Sequence, residues 1–219
     1  MIMKLNGAVF RYTLENALKK EPEELSENGI ARALGISPNA VNYSLKKLVE
    51  MGAVAVYKRH IELVNFDKAL YYWASVRNLK KDVVYSTYVR KSVQDIEKAM
   101  PSEIAFTAYT AYVARFGNDA SDYSEVYLYA TEIGLNEIKK RFPKEKLSER
   151  SNYANLIVLE PDRVLYDMIE KGIERSSVPT TQIYVDLWNL KEWYAAEFLK
   201  RLETRIKGER NAKRILQRQ

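Results

Sequence analysis

The sequence predicts an α+β chain in two parts, and three observations lead there. Residues 29–64 carry, in order, the patterns of a helix, a tight turn, a second helix and a hairpin. From Val83 onward, β-rich apolar runs alternate with amphipathic stretches, the mark of a mixed α/β region. Between the two, Lys80 to Asp82 forms a polar joint that divides the 219 residues into 1–80 and 81–219.

The first part opens with Leu5 to Lys20, where Val9, Tyr12, Leu14 and Leu18 recur at helical spacing until Glu21-Pro22-Glu23-Glu24 stops the helix. Ile30, Ala31 and Leu34 mark a short second helix, which Gly35 breaks. Ser37-Pro38 then supplies an N-cap and a proline at the first helical position. In the helix that follows, Ala40, Val41, Leu45, Leu48 and Val49 form an inward stripe, while Asn39, Asn42, Tyr43, Lys46 and Lys47 point elsewhere. Gly52 ends it. The runs Ala53 to Tyr57 and Ile61 to Val64 flank Lys58-Arg59-His60, which gives a hairpin with a positive tip. Asp67 is the expected cap of an aromatic helix that runs to about Asn78 with Leu70, Tyr71, Trp73 and Ala74.

This order of helix, turn, helix and basic hairpin resembles the winged helix-turn-helix domain. The resemblance implies that the Pro38 helix enters the major groove of double-stranded DNA and that the wing touches phosphate. Ser37, Asn39, Ala40 and Asn42 would then lie at the amino end of the reading helix, Tyr43, Lys46 and Lys47 along its flank, and Lys58 and Arg59 at the wing tip. The residue types suit these places, since asparagine matches an adenine edge, alanine a thymine methyl and lysine a phosphate. Winged helices also serve as protein-binding modules, so that reading stays open. The aromatic Asp67 helix either joins two copies or links to the next part; joining two copies would make a homodimer suited to a palindromic operator.

In the second part, Val83 to Val89 reads as a strand, Ser92 to Met100 as a helix capped by Ser92, and Pro101 to Phe116 as a further helix rich in alanine and tyrosine. Gly117 to Tyr123 is a polar loop. Glu125 to Thr131 and Asn155 to Glu160 are strands, and Leu135 to Phe142, Asp162 to Lys171 and Thr180 to Leu190 are helices. A long helix from Trp193 to about Lys213 has a basic end.

Four of these segments, IAFTAYTAYVARF (104–116), EVYLYA (125–130), NLIVLEP (155–161) and PTTQIYVDLWNLKEWYAAEFLKRL (179–202), together resemble the carboxy-terminal domain of the AbiEi family. That family is the antitoxin and transcriptional-regulator half of type IV toxin-antitoxin systems. The most specific stretch is Gln182 to Leu187 followed by Ala195 to Leu199; the chain departs from the family's usual glycine at Trp188 to Trp193. The resemblance implies an autoregulating repressor whose second domain neutralises a nucleotidyltransferase-like toxin protein.

Composition narrows the remaining classes. With no cysteine and one histidine, thiolate nucleophiles, disulfides and histidine-based metal sites are not expected, and no cofactor is implied. No apolar run approaches a membrane span and no export signal opens the chain, so a cytoplasmic protein is expected. The 35 basic against 29 acidic residues give +6, consistent with a nucleic-acid partner. The excess gathers beyond Lys200, at Arg201, Arg205, Lys207, Arg210, Lys213, Arg214 and Arg218, as either a solvated helix end or a backbone clamp. An RNA-binding adaptor would use the same features. A nucleotidyltransferase-like enzyme needs a Gly-Ser turn with paired carboxylates, and Asn118-Asp119-Ala120-Ser121-Asp122 lacks that turn, so the chain reads as no enzyme. Gln182, Asp186 and Glu197 form a candidate polar cluster or a hydrogen-bonded helix junction. Tyr109, Tyr112, Tyr127, Tyr129 and Tyr184 line a pocket or fill a core.

Overall fold

The structure is a computed structural model that describes residues 2–144, 153–172 and 177–216. It begins with α1 (Ile2–Leu18), α2 (Glu27–Leu34), α3 (Pro38–Glu50), β1 (Val54–Val56), β2 (Ile61–Leu63) and α4 (Phe66–Val76). Local chemistry sets each boundary. Ser26 caps α2 by accepting from the Gly29 amide, so the helix starts earlier than Gly29, and Gly35 closes it at φ 63°, a left-handed conformation that costs glycine least. Ser37 caps α3 by accepting from the Ala40 amide, with Pro38 at its first position. A cap of this kind is worth about 1 kcal/mol. The cap of α4 is Asn65, whose side chain accepts from the Lys68 amide, and the expected cap Asp67 lies instead in the first turn.

The core of this unit is built from Val9, Phe10 and Leu14 of α1, Ile30 and Leu34 of α2, Val41, Leu45 and Leu48 of α3, and Leu70 and Trp73 of α4, all buried. Phe10 meets Trp73 edge-on at 6.4 Å between ring centroids. Polar ties hold the layers in register. Asn16 donates to Glu23 O at 2.9 Å and accepts from the Glu23 amide at 3.1 Å, which fixes the turn after α1. Buried Ser44 Oγ lies 2.8 Å from Asn6 Oδ1 and links α3 to α1. The hairpin pairs Val54 with Leu63 and Val56 with Ile61, and Leu25 bridges to Ile61 on its outer edge.

Chain compactness divides the molecule into Met1–Arg77 with Arg201–Gln219, and Asn78–Lys200. The end of the chain, expected with the second part, therefore groups with the first. The reason lies in α10 (Ala195–Leu216), whose Leu202 and Ile206 are buried. Its Glu203 accepts from the Tyr71 hydroxyl of α4, and its Arg210 pairs with Asp67 at 2.6 Å while sitting 4.4 Å over the Phe66 ring. Arg210 is thus a packed residue and not part of a solvated helix end. The side chains of Lys213 and Arg214, and all of Arg218, lie outside the described residues.

The second unit holds β3 (Val83–Thr87), α5 (Val93–Lys98), β4 (Ile104–Phe106), α6 (Ala108–Phe116), β5 (Val126–Ala130), α7 (Glu132–Arg141), β6 (Leu156–Leu159), α8 (Arg163–Glu170) and α9 (Thr180–Trp188). The sheet order is β3-β6-β5-β4, with β5 and β6 parallel and both outer pairs antiparallel. Residues 101–116 are accordingly not one helix. Ile104 to Phe106 pair with β5, and the chain then turns into α6 at its first residue, Ala108, whose φ of 51° is left-handed. All four residues of β6 are buried because the sheet is covered on both faces. One face carries Val126, Leu128, Leu156 and Val158 in a cluster with Ile96 and Ile138, from α5 and α7. The alternate residues, such as Tyr129 and Ile157, face the α6 and α9 side.

Candidate nucleic-acid interface

Helix α3 has two faces that follow from its sequence. Val41, Ser44, Leu45 and Leu48 are buried. Asn39, Asn42, Tyr43, Lys46, Lys47 and Glu50 recur at spacings of three and four and are exposed, which puts them on one stripe. Two residues of the expected inward stripe sit differently, since Val49 is 40 % exposed and Ala40 half-buried. The buried position that apolar spacing missed is Ser44, which takes a core place because its hydroxyl reaches Asn6.

The residues expected at the interface occupy distinct settings. Ser37 Oγ is occupied as the helix cap, 3.2 Å from the Ala40 amide. Asn39 stands exposed at the amino end, and Tyr43 projects with 62 % of its surface open. Asn42 donates its Nδ2 to Glu27 Oε1 of α2 at 2.8 Å. Lys46 is exposed, and Lys47 pairs with Glu50 at 3.0 Å. The Glu50 hydrogen bond holds the Lys47 ammonium above its ordinary range and Glu50 below its own. Both groups are open to water, so the pair contributes little to stability. Lys58 and Arg59 are exposed at the hairpin tip.

The tip has more structure than its charge suggested. The Tyr57 amide donates to His60 O at 2.8 Å, and the Tyr57 and His60 rings stack at 4.4 Å. Tyr57 Oη reaches Glu62 Oε2 at 3.3 Å. A closed, stacked turn of this kind presents Lys58 and Arg59 outward on a short base. Neither Glu27 nor the Tyr57–His60 stack was singled out from the sequence. Ser26-Glu27, a cap followed by an acid, was the readable sign of the first.

Residues 16–55 match the sequence profile of winged helix-turn-helix DNA-binding domains. The amino-terminal unit carries a winged helix-turn-helix. The match takes in α2, α3 and the start of the wing, and it supports a sequence-specific DNA-binding regulator. No curated protein and no solved structure matches the chain.

In the second unit, Gln182 and Asp186 do come together, on α9, and both are buried. Asp186 accepts from Thr107 and Tyr129 at 2.8 Å and from Gln182 at 2.9 Å. Glu197 is exposed on α10 and takes no part. The arrangement joins the β4–α6 junction, β5 and α9 through one hydrogen-bond network. Tyr109, Tyr112, Tyr129 and Tyr184 are fully buried and pack as core, Tyr109 against Tyr194 and Phe198 at 5.2 and 5.0 Å. A second buried acid, Glu125, has no signal in the sequence; it accepts from the hydroxyls of Tyr153 and Tyr194. Burial and then that bond push the Tyr153 phenol up to about 12. Asp119 accepts from Tyr112 at 2.7 Å, so the Asn118 to Asp122 loop is tied to α6. Among the described residues, no group of three or more His, Asp or Glu side chains is placed to hold a metal, and no helix is long and apolar enough to cross a membrane.

Proposed function

We propose that the chain is a transcriptional regulator that reads double-stranded DNA with α3 and clamps the backbone with its wing. The observation that carries this is the exposed stripe Asn39, Asn42, Tyr43, Lys46 and Lys47 on a helix capped by Ser37-Pro38, with Lys58 and Arg59 exposed at the hairpin tip of the same unit. Hydrogen-bonding side chains near the amino end supply base readout, and the cations supply affinity without sequence preference. The protein acts as a homodimer on a palindromic operator in its own promoter, as a repressor.

The resemblance of residues 104–202 to the AbiEi family supports a finer reading of the second unit, as an antitoxin-like domain that binds a nucleotidyltransferase-like toxin. The motif residues Gln182 and Asp186 would then serve by building the domain, given their burial, and partner contact would fall on exposed residues such as Trp188 and Trp193. Selection of random duplexes at two salt concentrations tests the DNA reading. Enrichment of a palindrome that persists at the higher salt is expected; binding that only fades with salt, with nothing enriched, would overturn it. Co-expression with the product of a neighbouring nucleotidyltransferase-like gene tests the antitoxin reading, which fails if the two neither co-purify nor neutralise.

A further inference from the structure

Asn42 is not a loose amide on the reading face. Its Nδ2 donates to Glu27 Oε1 at 2.8 Å, which ties α3 to the first turn of α2 across 15 positions of sequence. An ionised carboxylate accepts and cannot donate, so the contact determines which end of the amide faces α2. The NH2 group does, and Oδ1 is left to face elsewhere. An NH2 group has two hydrogens. When Glu27 takes the hydrogen anti to Oδ1, the syn hydrogen and Oδ1 remain side by side as a donor and acceptor pair, the combination that matches the N7 and N6 edge of adenine. The turn that carries Glu27 is itself held, because Ser26 Oγ accepts from the Gly29 amide at 3.1 Å. Glu27 has no use as a phosphate ligand, since its charge repels the DNA backbone.

We propose that Glu27 is a positioning residue for sequence readout, which holds the Asn42 amide so that its carbonyl and second N–H meet an adenine edge. Its charge also lowers the attraction of α2 for DNA of any sequence, so one side chain raises preference and reduces indiscriminate binding. The proposal rests on the proposed function, in which α3 enters the major groove.

The test takes the full chain and the duplex enriched by the selection, and compares that site with one in which each adenine in turn is replaced. Asn42→Ala should lower the wild-type discrimination at one adenine, about 5- to 150-fold for a good bidentate contact, to near unity. Glu27→Ala should lose at least about fivefold of the same discrimination while binding unrelated duplex more tightly. Glu27→Gln, whose Oε1 still accepts from Nδ2, should keep the discrimination and share the tighter non-specific binding. In the double variant Glu27→Ala with Asn42→Ala, discrimination should equal that of Asn42→Ala alone. If Asn42→Ala loses discrimination and Glu27→Ala does not, Glu27 positions nothing and the proposal is overturned while the groove reading stands. Higher discrimination in Glu27→Ala would make Glu27 a restraint that withholds Asn42, which overturns it equally. Unchanged discrimination in Asn42→Ala would remove Asn42 from the readout and the proposal with it. Melting curves show whether each variant folds, and Glu27→Leu, which keeps the bulk of the side chain but has no acceptor for Asn42 Nδ2, carries the comparison should Glu27→Ala melt early.

Discussion

Asn42 and Asp186 are both polar residues on helices, and their surroundings give them different work. Asn42 lies on an exposed stripe and donates to Glu27, whereas Asp186 is fully buried among Thr107, Tyr129 and Gln182. Replacing Asp186 with Ala removes the acceptor of the Thr107 and Tyr129 hydroxyls and one of the two acceptors of Gln182 Nε2, which keeps Tyr129 Oη at 3.2 Å. At about 1–3 kcal/mol for each buried group left unpaired, the second unit should lose on the order of 3 kcal/mol or more, measured by chemical denaturation. Glu197→Ala, at an exposed position of the same motif, should change stability by less than about 0.5 kcal/mol. Equal effects would mean that the network does not hold the unit. On the DNA side, Lys46, Lys47, Lys58 and Arg59 are open, and removing any one cation that neutralises a phosphate should lower the log-log salt slope by about 0.9. The quadruple Ala variant measures this directly, and an unaltered slope would exclude these four as phosphate ligands.

Elements meet at places where a single atom decides the fit. Gly134, in the first turn of α7, has no room for a side chain, because an added Cβ would come within 2.3 Å of Glu103 O. That oxygen is backbone, held by the Thr131 amide at 3.2 Å, and cannot swing aside. Gly134→Ala should therefore cost about 1–3 kcal/mol through overpacking, read from the denaturation midpoint. The junction of α4 with α10 carries a pH dependence. Hydrogen bonds from Lys207 and then Tyr71 hold the Glu203 carboxyl below its ordinary range, while the Glu203 bond pushes the Tyr71 phenol up to about 12. A lowered acid stabilises the fold above its unfolded range and loses that contribution as pH falls through the lowered value. A raised phenol contributes fully below its ordinary 10.0 and loses the contribution as pH rises toward about 12. Thermal melts should thus fall off at both ends of the pH scale, and Glu203→Gln should flatten the acid limb. An acid limb as steep as that of the wild type would assign the loss to other carboxylates.

At the scale of the whole chain, the two units differ in how openly the sequence announces them. The helix-turn-helix was legible because its signals are local: Ser37-Pro38 caps α3, Gly35 takes the left-handed turn, and a three-and-four spacing separates Val41, Leu45 and Leu48 from Asn39, Asn42 and Lys46. The hairpin was legible for the same reason, as two apolar and β-branched runs on either side of a charged tip. Residues 101–116 were not, since Ile104 to Phe106 have no strand pattern of their own and become β4 only by pairing with β5. Alanine and tyrosine through this run fit a helix equally well, and the partner strand lies more than twenty residues onward. If the regulator pairs as proposed, light scattering should give twice the 25.4 kDa chain mass; a monomer that still selects a single half-site would remove the dimer and keep the reading helix.

The sequence by itself determined the Ser37-Pro38 start of α3, the exposed face of that helix, the basic wing tip and the two strongest strands, because each depends on neighbours within a few positions. Tertiary structure alone decided the rest. It placed Glu27 against Asn42, buried Asp186 and Glu125 among distant hydroxyls, and grouped the end of α10 with the first unit through Glu203 and Arg210. These pairings join residues far apart in the chain, and spacing along a sequence records which face a side chain takes but not which partner that face will meet.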